Sequence, residues 1–318
     1  MSEFALIDRL RDRLGGIAAD RLELGIGDDA ALLGIPSGYA LVACCDTLIE
    51  GRHFPAGTDP ADIGWKALAV NLSDLAAMGA TPHAALLALT LPSAPDPAWI
   101  ERFCDGWGTL AAQHEVALAG GDTARGAVLS LTVTCLGHVP RGEALRRDGA
   151  RVGDGIYVSG TLGDAAAALA LPDRTDDAAV ASLRARLARP TPRLALGLAL
   201  RGVASSAIDV SDGLAADLGH VLAASGVGAR IEVARLPLSD ELRAAVSPKA
   251  ALGHAFGGDD YELCFTVPAA RESALCAIAA ATGTRVTRIG TITAEPGLQL
   301  LDAEGMGMPV PRGWDHFA

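Results

Sequence analysis

Strand-like apolar runs alternate with helix-like segments along this chain of 318 residues, and this alternation constrains the fold more than any other feature. In the first half, residues 39–48 (YALVACCDTL) have a strand pattern, and residues 61–80 have helical periodicity. The run at 83–91 predicts a buried strand, 97–118 a long helix and 127–139 another strand. Such alternation is typical of α/β domains.

The second half repeats the alternation. A strand at 155–160 and an Ala-rich helix at 164–171 are followed by a charged, Pro-flanked connection at 172–192. The strand at 205–210 leads into a helix for which Ser211 or Asp212 is the predicted N-cap. The break at Pro140 predicts two domains, residues 1–139 and 140–318, while the stretch GGDTARG at 120–126 is predicted to be a loop.

Composition excludes several partners. The formal net charge is −12, which argues against nucleic acid or an anionic membrane, and an anionic substrate would need a local Arg or a metal ion. No apolar run is long enough to span a membrane and no signal peptide is recognisable, so a cytoplasmic location is expected. The six cysteines form no CxxC pair and are expected to be buried, reduced thiols.

The familiar phosphate-binding motifs do not fit. No Walker-type loop, kinase signature, His-Glu-x-x-His or Gly-x-Ser-x-Gly is present. GIGDDA at 25–30 has the Gly-x-Gly-x-x-Ala spacing of a dinucleotide turn. Its two adjacent aspartates would repel a pyrophosphate, the preceding strand is poor and no clear helix follows, so this interpretation is disfavoured.

What remains is a set of aspartates at the ends of predicted elements. Each alone has an ordinary explanation as a turn former or helix cap. Asp74 is the hardest to explain in that way, since a carboxylate amid ALAVNLSDLAAM is costly to bury unpaired. Together they form an oxygen-rich donor set of the kind Mg²⁺ prefers, and Mg²⁺ is commonly shared with substrate phosphates. The set comprises Asp28, Asp29, Asp46, Asp74, Asp122, Asp209, Asp212, Asp259 and Asp260.

Several motifs in order resemble one family. They are SEFALI, GIGDDAAL, DTLIEGRHF, KALAVNLSDLAAMGATP, GGDTARG, AIDVSDGLAADL, GGDDYELCFT and the C-terminal GWDHF. Over nearly the full length the chain resembles the thiamine-monophosphate kinases of the aminoimidazole ribonucleotide synthetase-like superfamily. The resemblance implies a two-domain α/β fold. Its N-terminal domain would bind ATP and Mg²⁺ and form a homodimer through its sheet, and its C-terminal domain would be synthetase-like.

The resemblance also assigns roles by position. Several Mg²⁺ ions would be held by Asp29, Asp46, Thr47, Asp74, Asp122, Asp209 and Asp212. Of these, Asp46, Asp74 and Asp122 would be essential for catalysis. The nucleotide would contact Gly121, Asp122, Arg147 and Ser211, and thiamine monophosphate would contact His53, Asp259 and Trp314. An ordinary turn histidine and a packing tryptophan remain the alternatives for His53 and Trp314.

Two departures from the family pattern stand out. Cys44 and Cys45 replace the usual Ser or Thr before the strand-end Asp46, and Asp259 replaces the usual Glu. The implied reaction is transfer of the ATP γ-phosphoryl group to thiamine monophosphate, giving thiamine diphosphate. Two alternatives stay open: another small-molecule kinase or synthetase of the superfamily, and a nucleotide-binding assembly protein without catalysis.

Overall fold

The computed structural model describes residues 2–172, 177–311 and 313. The chain divides into two compact units. Unit 1 is formed by the residues up to Leu75 together with Ala80–Gly142, and unit 2 by Ala76–Gly79 and the residues from Glu143 onward. Each described helix is too short or too polar to cross a membrane.

In its described residues, unit 1 combines α-helices with a two-stranded sheet and a larger, four-stranded sheet. The helices are α1 (Glu3–Leu14), α2 (Pro60–Ala77) and α3 (Pro97–His114). The strands are β1 (Leu22–Leu24), β2 (Leu32–Leu33), β3 (Tyr39–Ile49), β4 (Thr81–Leu91), β5 (Ala117–Arg125) and β6 (Ser130–Pro140). The larger sheet has the order β3-β6-β4-β5, in which β4 and β5 are parallel and the other pairs antiparallel.

Residues alternate between the two faces of this sheet. On β6, Leu131, Val133 and Cys135 are buried, whereas the intervening Thr132 and Thr134 are half-buried. Apolar side chains of α2 and α3 form the rest of the core, including Leu68, Leu72, Phe103 and Trp107. The two helices approach closely at Gly106, where a Cβ would lie 1.7 Å from the carbonyl oxygen of Ala61.

The prediction of a loop at 120–126 is wrong, because residues 120–125 belong to β5. They pair in parallel with β4, from Leu86 opposite Gly120 to Leu91 opposite Arg125. The main-chain hydrogen bonds of this ladder outweigh the low strand propensity of glycine and aspartate. The helix predicted at 97–118 ends earlier, at His114, because Glu115 takes a left-handed conformation with φ 53°.

Unit 2 contains a second, larger mixed sheet. Its helices are α4 (Asp164–Ala170), α5 (Ala178–Ala188), α6 (Leu194–Leu200), α7 (Leu214–Ser225), α8 (Asp240–Ala245), α9 (Pro248–His254) and α10 (Leu275–Thr282). Its strands are β7 (Gly155–Ser159), β8 (Ser206–Val210), β9 (Gly228–Glu232), β10 (Glu262–Val267), β11 (Val286–Thr293), β12 (Gly297–Leu301) and β13 (Gly307–Met308).

Among the described residues this sheet has the order β13-β12-β9-β11-β7-β10-β8. Only the pairing of β12 with β9 is parallel within this described sheet. Ile156, Ile208 and Ile231 from the strands pack with Leu214 and Leu218 of α7 in the core. Val210 at the carboxyl end of β8 pairs with Glu262 at the amino end of β10, so these two strand ends lie side by side.

Two predictions about unit 2 need correction. The N-cap of α7 is Gly213, so the prediction of Ser211 or Asp212 is wrong. The connection predicted at 172–192 contains a helix, α5, whose N-cap Asp177 accepts hydrogen bonds from the N–H groups of Ala179 and Val180 at 3.0 and 3.3 Å. This cap satisfies backbone donors at the helix start.

Candidate active site

In unit 1, Asp46 and Asp74 lie on a strand and a helix that are joined by a hydrogen bond. Asp46 lies on β3, an edge strand, and Asp74 lies in α2; both are half-buried. The N–H of Asp46 donates to Oδ1 of the fully buried Asn71, at 3.2 Å. Asn71 Nδ2 donates to the carbonyl of Ala67 one turn earlier, at 3.2 Å. Asn71 thus ties α2 to the strand that carries Asp46.

The thiol of Cys44 lies against Asn71. Its Sγ is 3.4 Å from the carbonyl oxygen of Asn71 and 3.8 Å from Asn71 Oδ1. Burial raises the pKa of Cys44 most, and the negative charges of Asp74 and Asp46 raise it further. Cys44 is therefore a neutral thiol that also hydrogen-bonds to Asp74, and both carboxylates lie near enough to raise its pKa.

Asp122 and Thr47 share one row of the sheet but lie on different strands. Thr47 of β3 pairs with Thr132, Thr132 with Ala88, and Ala88 with Asp122 of β5. The hydroxyls of Thr47 and Thr132 are 2.8 Å apart. Within the described part of one chain, Asp122 is thus separated from Asp46 and Thr47 by β6 and β4.

Gly121 has a structural reason to be glycine. A Cβ at this position would lie 1.8 Å from the carbonyl oxygen of Leu87 on β4. Close strand pairing therefore requires glycine here, whether or not a nucleotide contacts it. Beside this segment is a pocket whose lining includes Ile7 of α1, Leu118 and Asp122.

Asp29 lies in the turn that joins β1 to β2, where it is exposed. Its N–H donates to Oδ1 of Asp28 at 2.8 Å. No helix follows this turn before β2, so the geometry of a dinucleotide-binding turn is absent from this described segment.

His53 is part of a tight turn after β3. Its Nδ1 accepts a hydrogen bond from the N–H of Ile49 at 3.0 Å, and its carbonyl accepts one from the buried Lys66 at 3.2 Å. The ring is therefore held by its own turn. These contacts are compatible with an ordinary turn histidine and also with a ring held rigidly for a ligand.

Unit 2 gathers a second group of aspartates at the carboxyl end of β8. Asp209 lies on the strand and is buried, while Ser211 and Asp212 are half-buried in the loop before α7. Asp217, in the first turn of α7, is 3% exposed. Its Oδ2 accepts hydrogen bonds from the N–H groups of Ser211, Asp212 and Gly213 at 3.0, 3.1 and 3.0 Å.

The aspartates of this loop repel one another. Burial raises the pKa of Asp217 to about 7, the charges of Asp209 and Asp212 add to the rise, and the backbone donors oppose it. A bound cation would relieve this repulsion. The loop therefore has the electrostatic character of a cation site.

Asp259 lies beside the same loop. Its N–H donates to the carbonyl of Ser211 at 2.8 Å, and its Oδ1 accepts from the hydroxyl of Tyr261 at 3.1 Å. Its backbone is left-handed, with φ 67°, a region that Asp tolerates better than most residues. A Cβ on Gly258 would lie 2.3 Å from the carbonyl oxygen of Ser211, so the two loops pack closely.

Arg147 is far from this loop within unit 2. It is exposed, in a short 3-10 turn, and its carbonyl accepts a hydrogen bond from Ser225, the last residue of α7, at 2.8 Å. Ser211 precedes the other end of that helix, and a helix of 12 residues is about 18 Å long. One phosphate group therefore cannot contact both Arg147 and Ser211. Trp314, the remaining predicted substrate contact, lies outside the described residues.

Two polar residues of these clusters were not singled out from the sequence. Asn71 is embedded in an apolar helical segment, and its buried amide is the signal that could have identified it, because such a group needs partners. Asp217 resembles an ordinary acidic residue in a first helical turn. Asp217 lies four to six residues after the N–H donors that it binds, so the sequence does not show that it accepts hydrogen bonds from them.

The donor sets fit Mg²⁺ shared with a phosphate ligand. Among the described residues, no three His, Cys, Asp or Glu side chains gather closely enough to hold a metal ion by themselves. Mg²⁺ usually keeps several waters and is bound through one or two carboxylates plus substrate phosphates. Asp46 with Asp74, and Asp209 with Asp212, each provide such a partial set of oxygen donors.

Comparison with protein families defines the class of the chain. The model of the AIR synthase related protein N-terminal domain matches residues 27–139, and that of the C-terminal domain matches residues 151–302. The matches cover most of both units and place the chain among the AIR synthase related proteins.

Individual relatives narrow the class. A thiamine-monophosphate kinase of Escherichia coli is 50% identical over 329 residues, covering 99% of this chain and 98% of the relative. The crystal structure of thiamine-monophosphate kinase from Stenotrophomonas maltophilia is similar with a TM-score of 0.87 and 53% identity, covering 94% of this chain and 96% of that one. The structure of AaThiL complexed with AMPPCP and TMP is similar with a TM-score of 0.79 and 33% identity, covering 99% of this chain and 97% of that one. The chain belongs to the thiamine-monophosphate kinase family, which confirms the family and the two-domain α/β fold class predicted from the motifs.

Proposed function

We propose that the chain transfers the γ-phosphoryl group of ATP to thiamine monophosphate and releases ADP and thiamine diphosphate. The observation that carries this proposal is near-full-length similarity, at 50% identity, to a thiamine-monophosphate kinase. The aspartate clusters of the two units support it, because phosphoryl transfer depends mainly on positioning and charge neutralisation. AMPPCP and TMP in the complex of AaThiL support ATP as the donor.

The reaction is a direct displacement at phosphorus. A phosphate oxygen of thiamine monophosphate forms the new bond to the γ-phosphorus, and the bond from that phosphorus to the β–γ bridging oxygen breaks. The electron pair of that bond leaves with ADP. The acceptor oxygen is already anionic near neutral pH, so the chain does not need to supply a general base. Its residues act by holding the two phosphate groups close and in line.

Asp46 and Asp74 would hold Mg²⁺ in unit 1, and Asp209 and Asp212 would hold it in unit 2. Bound Mg²⁺ neutralises phosphate charge and stabilises the charge that develops during transfer. Asn71 ties the strand that carries Asp46 to the helix that carries Asp74, through its contacts with the N–H of Asp46 and with the thiol of Cys44. The further ligands of the proposed set are Asp29, Thr47 and Asp122.

The nucleotide and the acceptor use the remaining predicted residues. Gly121, Arg147 and Ser211 contact ATP, and the separation of Arg147 from Ser211 along α7 requires them to contact different parts of it. Asp259 and His53 contact thiamine monophosphate, together with Trp314. Residues 1–139 form the ATP- and Mg²⁺-binding domain and residues 140–318 the synthetase-like domain.

The direct test incubates the purified chain with ATP, Mg²⁺ and thiamine monophosphate. Equal amounts of ADP and thiamine diphosphate should form, as measured by chromatography, and EDTA should stop both. Asp46→Asn, Asp74→Asn and Asp122→Asn should abolish turnover while the circular dichroism spectrum is retained. Asp12→Asn is the matched control, because Asp12 is an exposed aspartate of α1. ADP release without thiamine diphosphate, or wild-type turnover in the three site variants, would refute the proposal.

The chain forms a homodimer through the open face of the unit 1 sheet. Along β3, Leu41, Ala43, Cys45 and Thr47 are exposed on this face, and Leu41 is 55% exposed. An exposed apolar sheet face of this kind favours association. Leu41→Arg should yield a monomer in light scattering, whereas Leu169→Arg, at another exposed leucine in unit 2, should not. A wild-type monomer at micromolar concentration would contradict the dimer.

A further inference from the structure

The loop between β8 and α7 is held by a side chain from inside the helix that follows it. Gly213, the N-cap of α7, provides no side-chain cap. Instead, Asp217 reaches back from the first turn, and a single carboxylate oxygen accepts from three successive backbone N–H groups at 3.0 to 3.1 Å. Side chains on a helix point toward its N-terminus, which makes this reach unstrained.

Three successive N–H groups before a helix are a typical anion-binding site. Such a nest, together with the positive end of the helix dipole, binds phosphate in many nucleotide-binding proteins. Here the donors of Ser211, Asp212 and Gly213 already point at the buried carboxylate of Asp217. A phosphate therefore cannot use them unless it displaces Asp217.

The backbone around the nest is fixed by close contacts. Gly213 has φ +110°, and a Cβ there would lie 2.3 Å from the carbonyl oxygen of Phe256. On the other side, the carbonyl of Ser211 accepts a hydrogen bond from the N–H of Asp259 at 2.8 Å. With the donors of the loop turned inward to Asp217, the half-buried Asp212 and the buried Asp209 both lie near enough to the carboxylate of Asp217 to raise its pKa.

We propose that Asp217 is a positioning residue that converts an anion-binding turn into a cation-binding one. By occupying the donors of residues 211–213, it orients Asp212, together with Asp209, toward the Mg²⁺ that accompanies the nucleotide. This inference deepens the proposed function and rests on it. It also limits Ser211 to contacts through its hydroxyl, because its N–H is already used.

The first test is residue-resolved amide hydrogen exchange on the wild-type chain. The N–H groups of residues 211–213 should be protected in protein free of metal and nucleotide, and AMPPCP with Mg²⁺ should leave that protection unchanged. Rapid exchange in the free protein that becomes slow only with AMPPCP and Mg²⁺ would overturn the proposal, since the donors would then serve the phosphate. This measurement needs no variant that could fail to fold.

The second test compares Asp217→Asn with Asp154→Asn. Asp154 is also a buried aspartate of unit 2 that accepts a backbone hydrogen bond, from Arg151 at 3.0 Å. It also accepts a hydrogen bond from Ser205, which precedes the opposite end of β8. Its replacement therefore reports a loss of stability without a change in the loop.

Binding of Mn²⁺ in the presence of AMPPCP, measured by electron paramagnetic resonance, is the readout. Asp217→Asn should weaken the Mn²⁺ affinity by about 10- to 100-fold, the usual effect of removing an outer-shell partner. Asp154→Asn should lower the melting temperature about as much as Asp217→Asn does, but it should bind Mn²⁺ with the affinity of the wild type. In turnover assays, Asp217→Asn should raise the Mg²⁺ concentration for half-maximal rate, and saturating Mg²⁺ should restore much of kcat.

An Mn²⁺ affinity for Asp217→Asn within twofold of wild type, or an equal loss in Asp154→Asn, would overturn the proposal. The readout requires neither thiamine monophosphate nor turnover. A wild-type chain that binds Mn²⁺ and AMPPCP but forms no thiamine diphosphate would therefore refute the proposed function alone. In that case the comparison of the two variants would still decide the role of Asp217.

Discussion

Replacing Asn71 with leucine should uncouple the carboxylates of unit 1 without emptying the core. Leucine has as many non-hydrogen side-chain atoms as asparagine, although it is bulkier, and it provides no acceptor for the N–H of Asp46, which now donates to Asn71 Oδ1 at 3.2 Å. Depriving a half-buried donor of its acceptor costs about 1–3 kcal/mol, a figure that already includes the lost hydrogen bond. The free energy of unfolding should therefore fall by about 1–3 kcal/mol.

The same change should weaken catalysis beyond its effect on stability. Asn71 links α2, which carries Asp74, to the strand that carries Asp46. A displacement of about 1 Å between positioned groups can cost about 100-fold in rate. Asn71→Leu should thus lower kcat and raise the Mg²⁺ concentration for half-maximal turnover at temperatures where the variant is fully folded.

Urea unfolding followed by tryptophan fluorescence suits the stability measurement. Three of the four tryptophans, Trp65, Trp99 and Trp107, lie in unit 1. Leu72→Ala is the matched control, because Leu72 is fully buried next to Asn71 and its truncation should cost about 2–5 kcal/mol through a cavity alone. The reasoning is refuted if Asn71→Leu keeps wild-type stability and Mg²⁺ dependence, or if Leu72→Ala shifts the Mg²⁺ dependence equally.

Three further predictions concern single contacts. Arg193→Gln should lower the free energy of unfolding by about 3 kcal/mol, because it removes a guanidinium that lies 2.5 Å from the buried carboxylate of Glu262. Urea unfolding measures this loss, and a loss below about 1 kcal/mol would contradict the prediction. Burial lowers the pKa of His83 below its ordinary value of 6.5. Because the unfolded chain then binds the proton more readily than the folded chain, the free energy of unfolding should fall as the pH drops below 6.5. His83→Gln should reduce that fall in pH-dependent urea curves, and an unchanged slope would contradict the assignment. Gly121→Ala should abolish turnover and lower the melting temperature, since the new Cβ would lie 1.8 Å from a carbonyl of β4, whereas Gly120→Ala, 3.5 Å from its nearest neighbour, should be mild.

The long elements could be predicted from the sequence because their patterns are strong. The apolar run predicts β3 to within one residue at each end, and the helical periodicity predicts α2 to within three residues. The motifs also located most of the aspartates of both clusters. These successes rest on local patterns, in which a strand end or a turn is marked by the residues themselves.

The failures arise where pairing over a distance decides the structure. The stretch 120–125 has the composition of a loop, yet it is a strand because β4 provides a complete parallel ladder for it. Helix α5 was missed in the charged stretch 172–192, although its Arg186 contributes to the pairing of Glu262, at 3.0 Å. The contact of α2 with the edge strand β3, through Asn71 and Asp46, joins residues far apart in sequence, and spacing along the chain cannot reveal it.

In several glycine-containing turns of this chain, carboxylates accept hydrogen bonds from the backbone. In the turn of GIGDDA, Asp28 accepts the N–H of Asp29 at 2.8 Å. Before α4, the N–H of Gly163 donates to both oxygens of the buried Asp260, at 3.0 and 2.9 Å. Before α7, Asp217 accepts three such donors.

In each of these turns the chain's own aspartate occupies backbone donors that a phosphate loop would offer to its ligand. Glycine still allows the tight backbone, but the turn no longer offers those donors to an anion. If the remaining aspartates at these ends bind Mg²⁺ as proposed, the cations would in turn bind the phosphates of the nucleotide. The proposal thus accounts for a chain with a net charge of −12 and only two lysines that acts on a triphosphate, because the positive charge would arrive with the substrate.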